Sequence, residues 1–189
     1  MKLRRTVYII SGPAGVGKST TSKRLVHSLE RSSYISGDTI SHLPVVGRGK
    51  PWLCEDTNRL TWTNIASLTH NLLQADYNVV IDYVTFPHEA AWLANELKNK
   101  EVQIVYIILL TDQETLGARD RLRPAEEQMG ERSFILLQEF KAAIQDTQHV
   151  LYTSHLSVDD IDKVVQEIRH NKQYIIREKQ AVFGRMEEK

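Results

Sequence analysis

Features that would point to several other classes of protein are scarce or missing in this chain of 189 residues. Its single cysteine, Cys54, cannot build an internal disulfide framework, which favours a reducing compartment. Lysine and arginine together number 24, as do aspartate and glutamate, and this balance leaves no overall basic field to attract nucleic acid or an anionic membrane. No run approaches the roughly 18 apolar residues that span a bilayer. We therefore expect a cytoplasmic protein that binds anions only at a local site.

Apolar runs alternate with segments of helical period, which is the pattern of an α/β protein with a mostly parallel sheet. Strands are predicted at residues 6–10, 33–35, 79–81, 103–110 and 150–152. Helical spacing of apolar residues is found within residues 65–73, 137–144 and 161–168. The length suits one buried core, and a single domain is predicted over residues 1–170. Residues 171–189 are rich in charge and are predicted to form a helix extension or a loose tail.

The clearest chemistry lies in YIISGPAGVGKSTTSKRLV, residues 8–26. The stretch contains GxxxxGK[ST] between a buried-type strand and a helix, which is the context that this motif requires. Its glycines let backbone N–H groups turn inward around an anion, and the helix directs its positive end to the same place. Nucleotide phosphates are predicted to bind at Gly12, Pro13, Ala14, Gly15, Val16, Gly17, Lys18, Ser19 and Thr20. Lys18 would reach the β- and γ-phosphates, and Ser19 would supply an oxygen to Mg²⁺.

Acidic residues follow three of the predicted strands. Asp38 comes after the second, where it could hold Mg²⁺ through water or accept the proton of an attacking hydroxyl; its alternative role is to cap a helix or turn. Asp82 ends the third strand and could serve the metal or hydrogen-bond to the phosphate loop or a neighbouring helix. Asp112 lies between Thr111 and Glu114, a T-x-x-E capping pattern, and is interpreted as structural.

An arginine cluster precedes a polar loop in the second half of the chain. Arg119 and Arg123 are four residues apart and share a helix face, and Pro124 is expected to end that helix near Arg123. Helical period resumes near Ser133. Arginines beside a mobile loop suit phosphoryl transfer, because closure excludes water and guanidinium groups offset phosphoryl charge. A lid is therefore predicted over about residues 119–132, with a solvated, ion-paired helix face as the alternative.

Together the phosphate loop, the acid after strand two and the run Arg119-x-Arg121-x-Arg123 resemble the small-molecule kinases of the P-loop superfamily. This group includes shikimate kinases, nucleoside monophosphate kinases and chloramphenicol phosphotransferase. The chain is most similar to the gluconate kinase family, in which GD is followed by GxPLxDxDRxPW; here Gly37-Asp38 is followed by GKPWLCEDTNRLTW at residues 49–62. The RxRxR and LLxxQF lid pattern of that family resembles the arginine run and the later ILLQEF.

The chain also departs from that pattern. It needs a one-residue insertion near Pro51, and Asn58 and Thr61 stand where the family usually has Asp and Pro. The lid has Glu127-Gln128-Met129-Gly130 in place of Gly-His-Phe-Met. An acid after strand three, Asp82, is more similar to chloramphenicol phosphotransferase. The phosphotransferase class is thus better supported than the acceptor.

The resemblance implies a three-layer P-loop NTPase fold with a five-stranded parallel sheet ordered 2-3-1-4-5. It also implies an enzyme of the class that includes gluconokinase, which would use ATP and Mg²⁺ to phosphorylate a hydroxyl of a small molecule. Such an enzyme would act as a monomer or homodimer, with no nucleic-acid or membrane partner. The adenine would lie near residues 153–156.

The same resemblance assigns roles to individual residues. The predicted catalytic residues are Lys18, Asp38, Arg119 and Arg123. Ser19 and Asp38 would hold the metal, Asp38 through water, and whether Asp38 or Asp82 is the base stays open. His42, Arg59 and Asp82 are predicted to bind the acceptor, although Arg59 could equally pair with Glu55 or Asp56 at the surface.

Three alternative functions remain. Two are other phosphotransferases, namely an antibiotic phosphotransferase of the chloramphenicol type and a nucleotide kinase. The third is a nucleotide-dependent switch or regulatory ATPase, which would have no small acceptor and would change shape or partner with nucleotide state.

Overall fold

A computed structural model describes residues 5–98 and 101–177. Its strands form one five-stranded sheet in the order β2-β3-β1-β4-β5, and all the pairings between them are parallel. The strands are β1 (Arg5–Ser11), β2 (Ser32–Ser36), β3 (Asn78–Asp82), β4 (Val102–Leu110) and β5 (Val150–Tyr152). The predicted α/β class, strand set and strand order are confirmed. At most of the strand ends, the observed boundary lies one residue outside the predicted one.

Helices flank the sheet between consecutive strands. They are α1 (Lys18–His27), α2 (Gly37–Ser41), α3 (Glu55–Gln74), α4 (Pro87–Glu96), α5 (Gln113–Arg121), α6 (Glu131–Ala143) and α7 (Ile161–His170). Each long helix buries an apolar stripe, as Leu25, Ile65 and Phe140 show at 0% exposure. Among the described residues, no helix combines the length and apolar character needed to cross a bilayer.

The central strands explain where the site lies. β1 and β3 are continuous aliphatic runs, and Val7, Ile9 and Ile81 are fully buried, as expected for strands covered on both faces. The parallel register pairs Asp82 with Ile10 on one side and with Ser36 on the other. The carboxyl ends of β1, β2 and β3 therefore meet at one edge of the sheet, where ligands bind in open α/β folds.

The end of α5 differs by two residues from the prediction. The helix ends at Arg121, because the N–H groups of Leu122 and Arg123 turn back to the carbonyls of Arg119 and Asp120 before Pro124 stops the helix. A short 3₁₀ turn follows at Ala125–Glu127, and α6 begins after Gly130, whose φ is 51°. Residues 122–130 form the α5–α6 connection.

The chain after α7 returns to the sheet. Tyr174 is 1% exposed, Ile175 forms an antiparallel bridge with Val105, and the N–H of Ile176 donates to the carbonyl of Ile104 at 2.9 Å. Since β5 pairs only with the last residues of β4, the first half of that strand's edge is open to this pairing. Residues 171–177 thus return to the sheet, with a short 3₁₀ turn at Lys172–Tyr174. The helix extension or loose tail predicted for residues 171–189 stays a prediction, because residues 178–189 lie outside the described residues.

Candidate active site

The loop between β1 and α1 has the conformation that anion binding requires. Three of its residues, Gly12, Gly15 and Gly17, have φ values of 132°, 85° and 105°, which side chains rarely tolerate. A Cβ on Gly12 would also collide with the carbonyl oxygen of Leu109. Glycine is therefore required here both by backbone conformation and by close packing against β4.

Lys18 begins α1 directly after this loop. Its ammonium donates to the carbonyl of Pro13 at 3.0 Å. Burial lowers the pKa of Lys18, and the carboxylates of Asp82 and Asp38 oppose that shift by favouring the charged form. The structure thus brings both candidate acids to the phosphate-loop lysine, although they follow different strands.

Asp82 is 6% exposed and its orientation is fixed by a residue that sequence reasoning missed. The hydroxyl of Tyr34, on β2, donates to Oδ2 of Asp82 at 2.6 Å. Burial and then this hydrogen bond raise the pKa of Tyr34, while the hydroxyl of Ser19, also a hydrogen-bond partner, opposes the rise. Tyr34 is half-buried on the edge strand β2, and nothing in the residues around it marks Asp82 as its partner.

Asp38 lies in the first turn of α2 and is exposed. The helix cap is Ser36, whose hydroxyl accepts from the N–H of Thr39 at 3.2 Å, so Asp38 does not cap α2 through its side chain. A Cβ on Gly37 would collide with the ring of Tyr83. Glycine at this position therefore lets the start of α2 approach β3, and with it Asp38.

The candidate acceptor residues occupy different environments. His42 is exposed, and its Nδ1 lies 2.7 Å from the carbonyl oxygen of Asp38. Arg59 pairs with Asp56, Nη2 to Oδ1, at 2.7 Å on the surface of α3. The surface-pair alternative for Arg59 is therefore the contact that the structure contains.

Arg48 is a second residue that sequence reasoning missed, and no local pattern marks it. Its Nε donates to the carbonyl of Ser41 at 2.6 Å. Burial raises the pKa of Tyr83, Asp38 and Glu89 add to the rise, and the Arg48 guanidinium opposes it. The charges of Arg48 and Asp38 thus act in opposite directions on the pKa of Tyr83.

The predicted lid arginines have separate environments. The guanidinium of Arg119 donates to the carbonyls of Val16, Thr153 and Leu156 at 3.2, 2.8 and 2.9 Å. It therefore ties the phosphate loop to the loop after β5. Arg123 lies 3.6 Å from Asp120, Nη1 to Oδ1, and its charge adds to the lowering of the Lys18 pKa that burial causes. Arg123 is thus the predicted lid arginine whose charge acts on the phosphate-loop lysine.

Asp112, at the end of β4, is structural as predicted, but it is itself the helix cap. Its Oδ1 accepts from the N–H of Thr115 at 2.7 Å, which caps α5. The predicted cap, Thr111, donates to the hydroxyl of Ser154 at 3.1 Å instead. Hydrogen bonds from the backbone and side chain of Thr115 and from Ser154 lower the pKa of Asp112 to about 2.

The donor set at the carboxyl edge fits Mg²⁺. The hydroxyl of Ser19 and the carboxylates of Asp38 and Asp82 are hard oxygen donors of the kind this ion prefers. The described residues contain no group of three or more His, Cys, Asp or Glu side chains able to hold a metal alone. Mg²⁺ in phosphate-transferring sites takes most of its remaining oxygens from phosphates and water, so these residues suit an ion that arrives with a nucleotide.

Comparison with known proteins agrees with this architecture. A family model described as AAA domain matches residues 7–148, whereas no curated protein matches the chain. A gluconokinase from Sinorhizobium meliloti 1021 superposes with a TM-score of 0.60 at 17% identity, over 87% of this chain and 91% of that one. The tunicamycin resistance protein of Deinococcus radiodurans gives 0.59 at 18% identity, over 87% and 94%.

A third solved structure, the Mycobacterium tuberculosis APS kinase in complex with AMPPNP and APS, gives a TM-score of 0.64 at 14% identity, over 89% of this chain and 99% of that one. Likeness at such identities is evidence for the fold alone. The resemblance to P-loop small-molecule kinases is thereby confirmed at the level of the fold.

Proposed function

The chain belongs to the AAA domain family, whose model matches residues 7–148, and from that premise we propose that it is a phosphotransferase that moves the γ-phosphoryl group of ATP to a hydroxyl of a small molecule. One observation carries the proposal. The carboxyl ends of β1, β2 and β3 meet at one edge of the sheet, next to Lys18, and the carboxylates of Asp38 and Asp82 there favour the charged form of its ammonium. A cation for the phosphates, a carboxylate for the metal and a carboxylate for the acceptor are what such a transfer needs.

On the nucleotide side, the backbone N–H groups of residues 12–17 and the ammonium of Lys18 would hold the β- and γ-phosphates. Ser19 would hold Mg²⁺ directly and Asp82 through water, since one Asp82 oxygen is already held by Tyr34. When bound, Mg²⁺ neutralises phosphate charge and orients the oxygens around the transferred phosphorus. Arg123 would add positive charge from the α5–α6 connection.

On the acceptor side, Asp38 is the proposed base because it is exposed at the cleft, whereas Asp82 is buried and engaged by Tyr34. The acceptor oxygen would bond to the γ-phosphorus as the bond from that phosphorus to the β,γ-bridging oxygen breaks. ADP would leave with the bonding electron pair, and Asp38 would take the hydroxyl proton. We therefore propose Asp38 as the base and Asp82 as the acid that serves the metal, where the sequence leaves the choice open.

The proposed acceptor is a hydroxylated acid of the gluconate type. Support comes from the pattern within residues 49–62 and from Arg48, whose guanidinium donates to the carbonyl of Ser41, three residues after Asp38, and could bind a carboxylate. His42 lies next to Asp38 and would border the same pocket. An antibiotic acceptor of the chloramphenicol type is the second candidate, favoured by the buried acid that ends β3. A cytoplasmic location and a monomeric or homodimeric state stay predictions.

The test is ATP consumption over a panel of sugar acids, sugars, shikimate, nucleosides and hydroxylated antibiotics. We expect one compound to stimulate consumption strongly, and Asp38→Asn to lower kcat by about a hundredfold or more while the circular dichroism spectrum is unchanged. Asp162→Asn, which removes an exposed carboxylate between α7 and α1, is the matched control and should retain the parent rate.

Two results would contradict the proposal. A flat panel, together with a nucleotide-dependent change of shape or partner, would indicate a switch or regulatory ATPase instead. Turnover by Asp38→Asn at the parent rate would show that Asp38 is not the base.

A further inference from the structure

Asp120, on the last turn of α5, is a buried acid with no role in the function proposed so far. It is 5% exposed. Its carboxylate accepts from the N–H of Met129, with 3.1 Å to each oxygen, and Oδ2 accepts from the N–H of Gly130 at 2.8 Å. These donors lie at the far end of the α5–α6 connection, so one carboxylate ties both ends of that segment together.

A neutral side chain supports the same closure. The Nε2 of Gln128 donates to the carbonyls of Arg121 and Arg123 at 3.3 and 2.9 Å. The α5–α6 connection is thus folded back on the end of α5 by side chains from both of its ends.

Asp120 also adjoins the phosphate loop. A Cβ on Gly15 would lie 3.7 Å from both Cβ and Oδ1 of Asp120, which is ordinary van der Waals contact. On its other side, Oδ1 lies 3.6 Å from Nη1 of Arg123. The carboxylate therefore lies between the backbone of the phosphate loop and the arginine whose charge acts on Lys18.

The position of Asp120 reduces a repulsion between two positively charged side chains. Arg123 and Lys18 are both positively charged, and the charge of each acts on the other. Without a phosphate between them, Lys18 therefore repels Arg123 from the position in which Arg123 could bind a phosphate. A buried carboxylate beside Arg123 offsets that repulsion. The N–H groups of Met129 and Gly130 in turn offset the cost of burying the carboxylate.

We propose that Asp120 is a positioning residue that holds Arg123 against the phosphate loop and so keeps the α5–α6 connection ready to close on nucleotide phosphates. The inference rests on the proposed function for the nature of the ligand. If Asp120 only capped α6, its loss would not change nucleotide binding. The proposal instead states that Asp120 affects nucleotide binding through Arg123.

A double-mutant cycle on nucleotide affinity separates these two roles. The Kd of the full chain for Mg·ATP would be measured by calorimetry for the parent, Asp120→Asn, Arg123→Ala and the double variant. We expect Arg123→Ala to raise Kd about tenfold, since it removes a charge-assisted contact, and Asp120→Asn to raise it about fivefold. The double variant should match Arg123→Ala at about tenfold instead of reaching about fiftyfold, because coupled residues are not additive.

Asp162→Asn is the matched control for loss of a carboxylate and should bind Mg·ATP as the parent does. The inference is overturned if Asp120→Asn lowers only the Tm, or if its effect multiplies with that of Arg123→Ala. Should Asp120→Asn not fold, Asp120→Glu, which keeps the charge but displaces it by one methylene, replaces it in the cycle with the same two outcomes. Binding needs no acceptor, so this result stands apart from the acceptor panel that tests the proposed function.

Discussion

The phosphate loop and the proposed acceptor segment, residues 42–54, are built differently. The phosphate loop has Val16 at 2% exposure, is held to the loop after β5 by Arg119, and has a buried acid beside it. The acceptor segment leaves Val45, Val46 and Leu53 at 92%, 91% and 77% exposure. The first region is therefore packed into the fold, whereas the second leaves apolar side chains exposed to solvent.

The acceptor segment is anchored at its middle and at Trp52. Arg48 donates to Ser41, and the N–H of Gly49 donates to the hydroxyl of Thr57 at 3.1 Å. Trp52 contacts Arg132 of α6, with 5.4 Å from the guanidinium carbon to the ring centroid. Phosphate chemistry is the same for every acceptor and suits a rigid site, whereas acceptor chemistry varies. We therefore expect substitutions in the phosphate loop to lower kcat. Substitutions in the acceptor segment should instead lower the affinity for the acceptor.

The largest effect is expected from Lys18→Ala. Loss of the ammonium that faces Asp38 and Asp82 should lower kcat by about a hundredfold or more, measured by coupled ADP release. Lys23→Ala, an exposed lysine of the same helix, is the control and should keep the parent kcat. If Lys18→Ala and Lys23→Ala had the same kcat, the phosphate loop would not be the catalytic region.

An intermediate effect is expected from Arg48→Ala. Removal of its guanidinium should raise the KM for an acidic acceptor about tenfold, with kcat changed by less than about threefold, because the contact would be made equally in ground and transition states. Arg59→Ala should change KM by less than about twofold, since an exposed ion pair contributes little. Initial rates across acceptor concentrations measure both constants.

The two variants also show which arginine binds the acceptor, Arg59 as the sequence predicts or Arg48 as the structure suggests. Should Arg59→Ala raise KM and Arg48→Ala not, the sequence prediction for Arg59 would stand and the structural assignment would fail. Arg31→Ala controls for the loss of a surface cation. Arg31 directly precedes β2 and so lies at the amino ends of the strands, away from the candidate site.

Local signals explain which features the sequence predicts. The phosphate loop is a contiguous motif, and the strands are contiguous apolar runs, so both are visible in a short window. The contact from Tyr34 to Asp82 joins residues 48 apart in sequence, and that from Arg119 to Thr153 joins residues 34 apart. Neither has a local pattern, because parallel strands bring distant residues to one edge. Ile175 reaches β4 only because β5 is short, which no property of residues 171–177 reveals.

The smallest effect concerns stability and separates two acids at strand ends, Asp82 of β3 and Asp112 after β4, on opposite sides of β1 in the sheet. Asp112 has a folded-state pKa lowered to about 2, chiefly by the N–H of Thr115, below the unfolded value of about 4. The unfolded chain therefore takes up this proton first as the pH falls. The contribution of Asp112 to stability is present above pH about 4 and is lost as the pH falls through about 2.

Asp112→Asn tests this account, because asparagine also caps helices but does not titrate. At pH 7 its Tm should match that of the parent, whereas Asp112→Ala should melt roughly 2–4 °C lower. Between pH 5 and about 2.5 the Tm of the parent should fall more steeply than that of Asp112→Asn, as followed by circular dichroism. Equal slopes would mean that Asp112 is not a source of the acid sensitivity. Unchanged kcat in Asp112→Asn at pH 7 would then separate a strand-end acid that caps a helix from one that serves the phosphate loop.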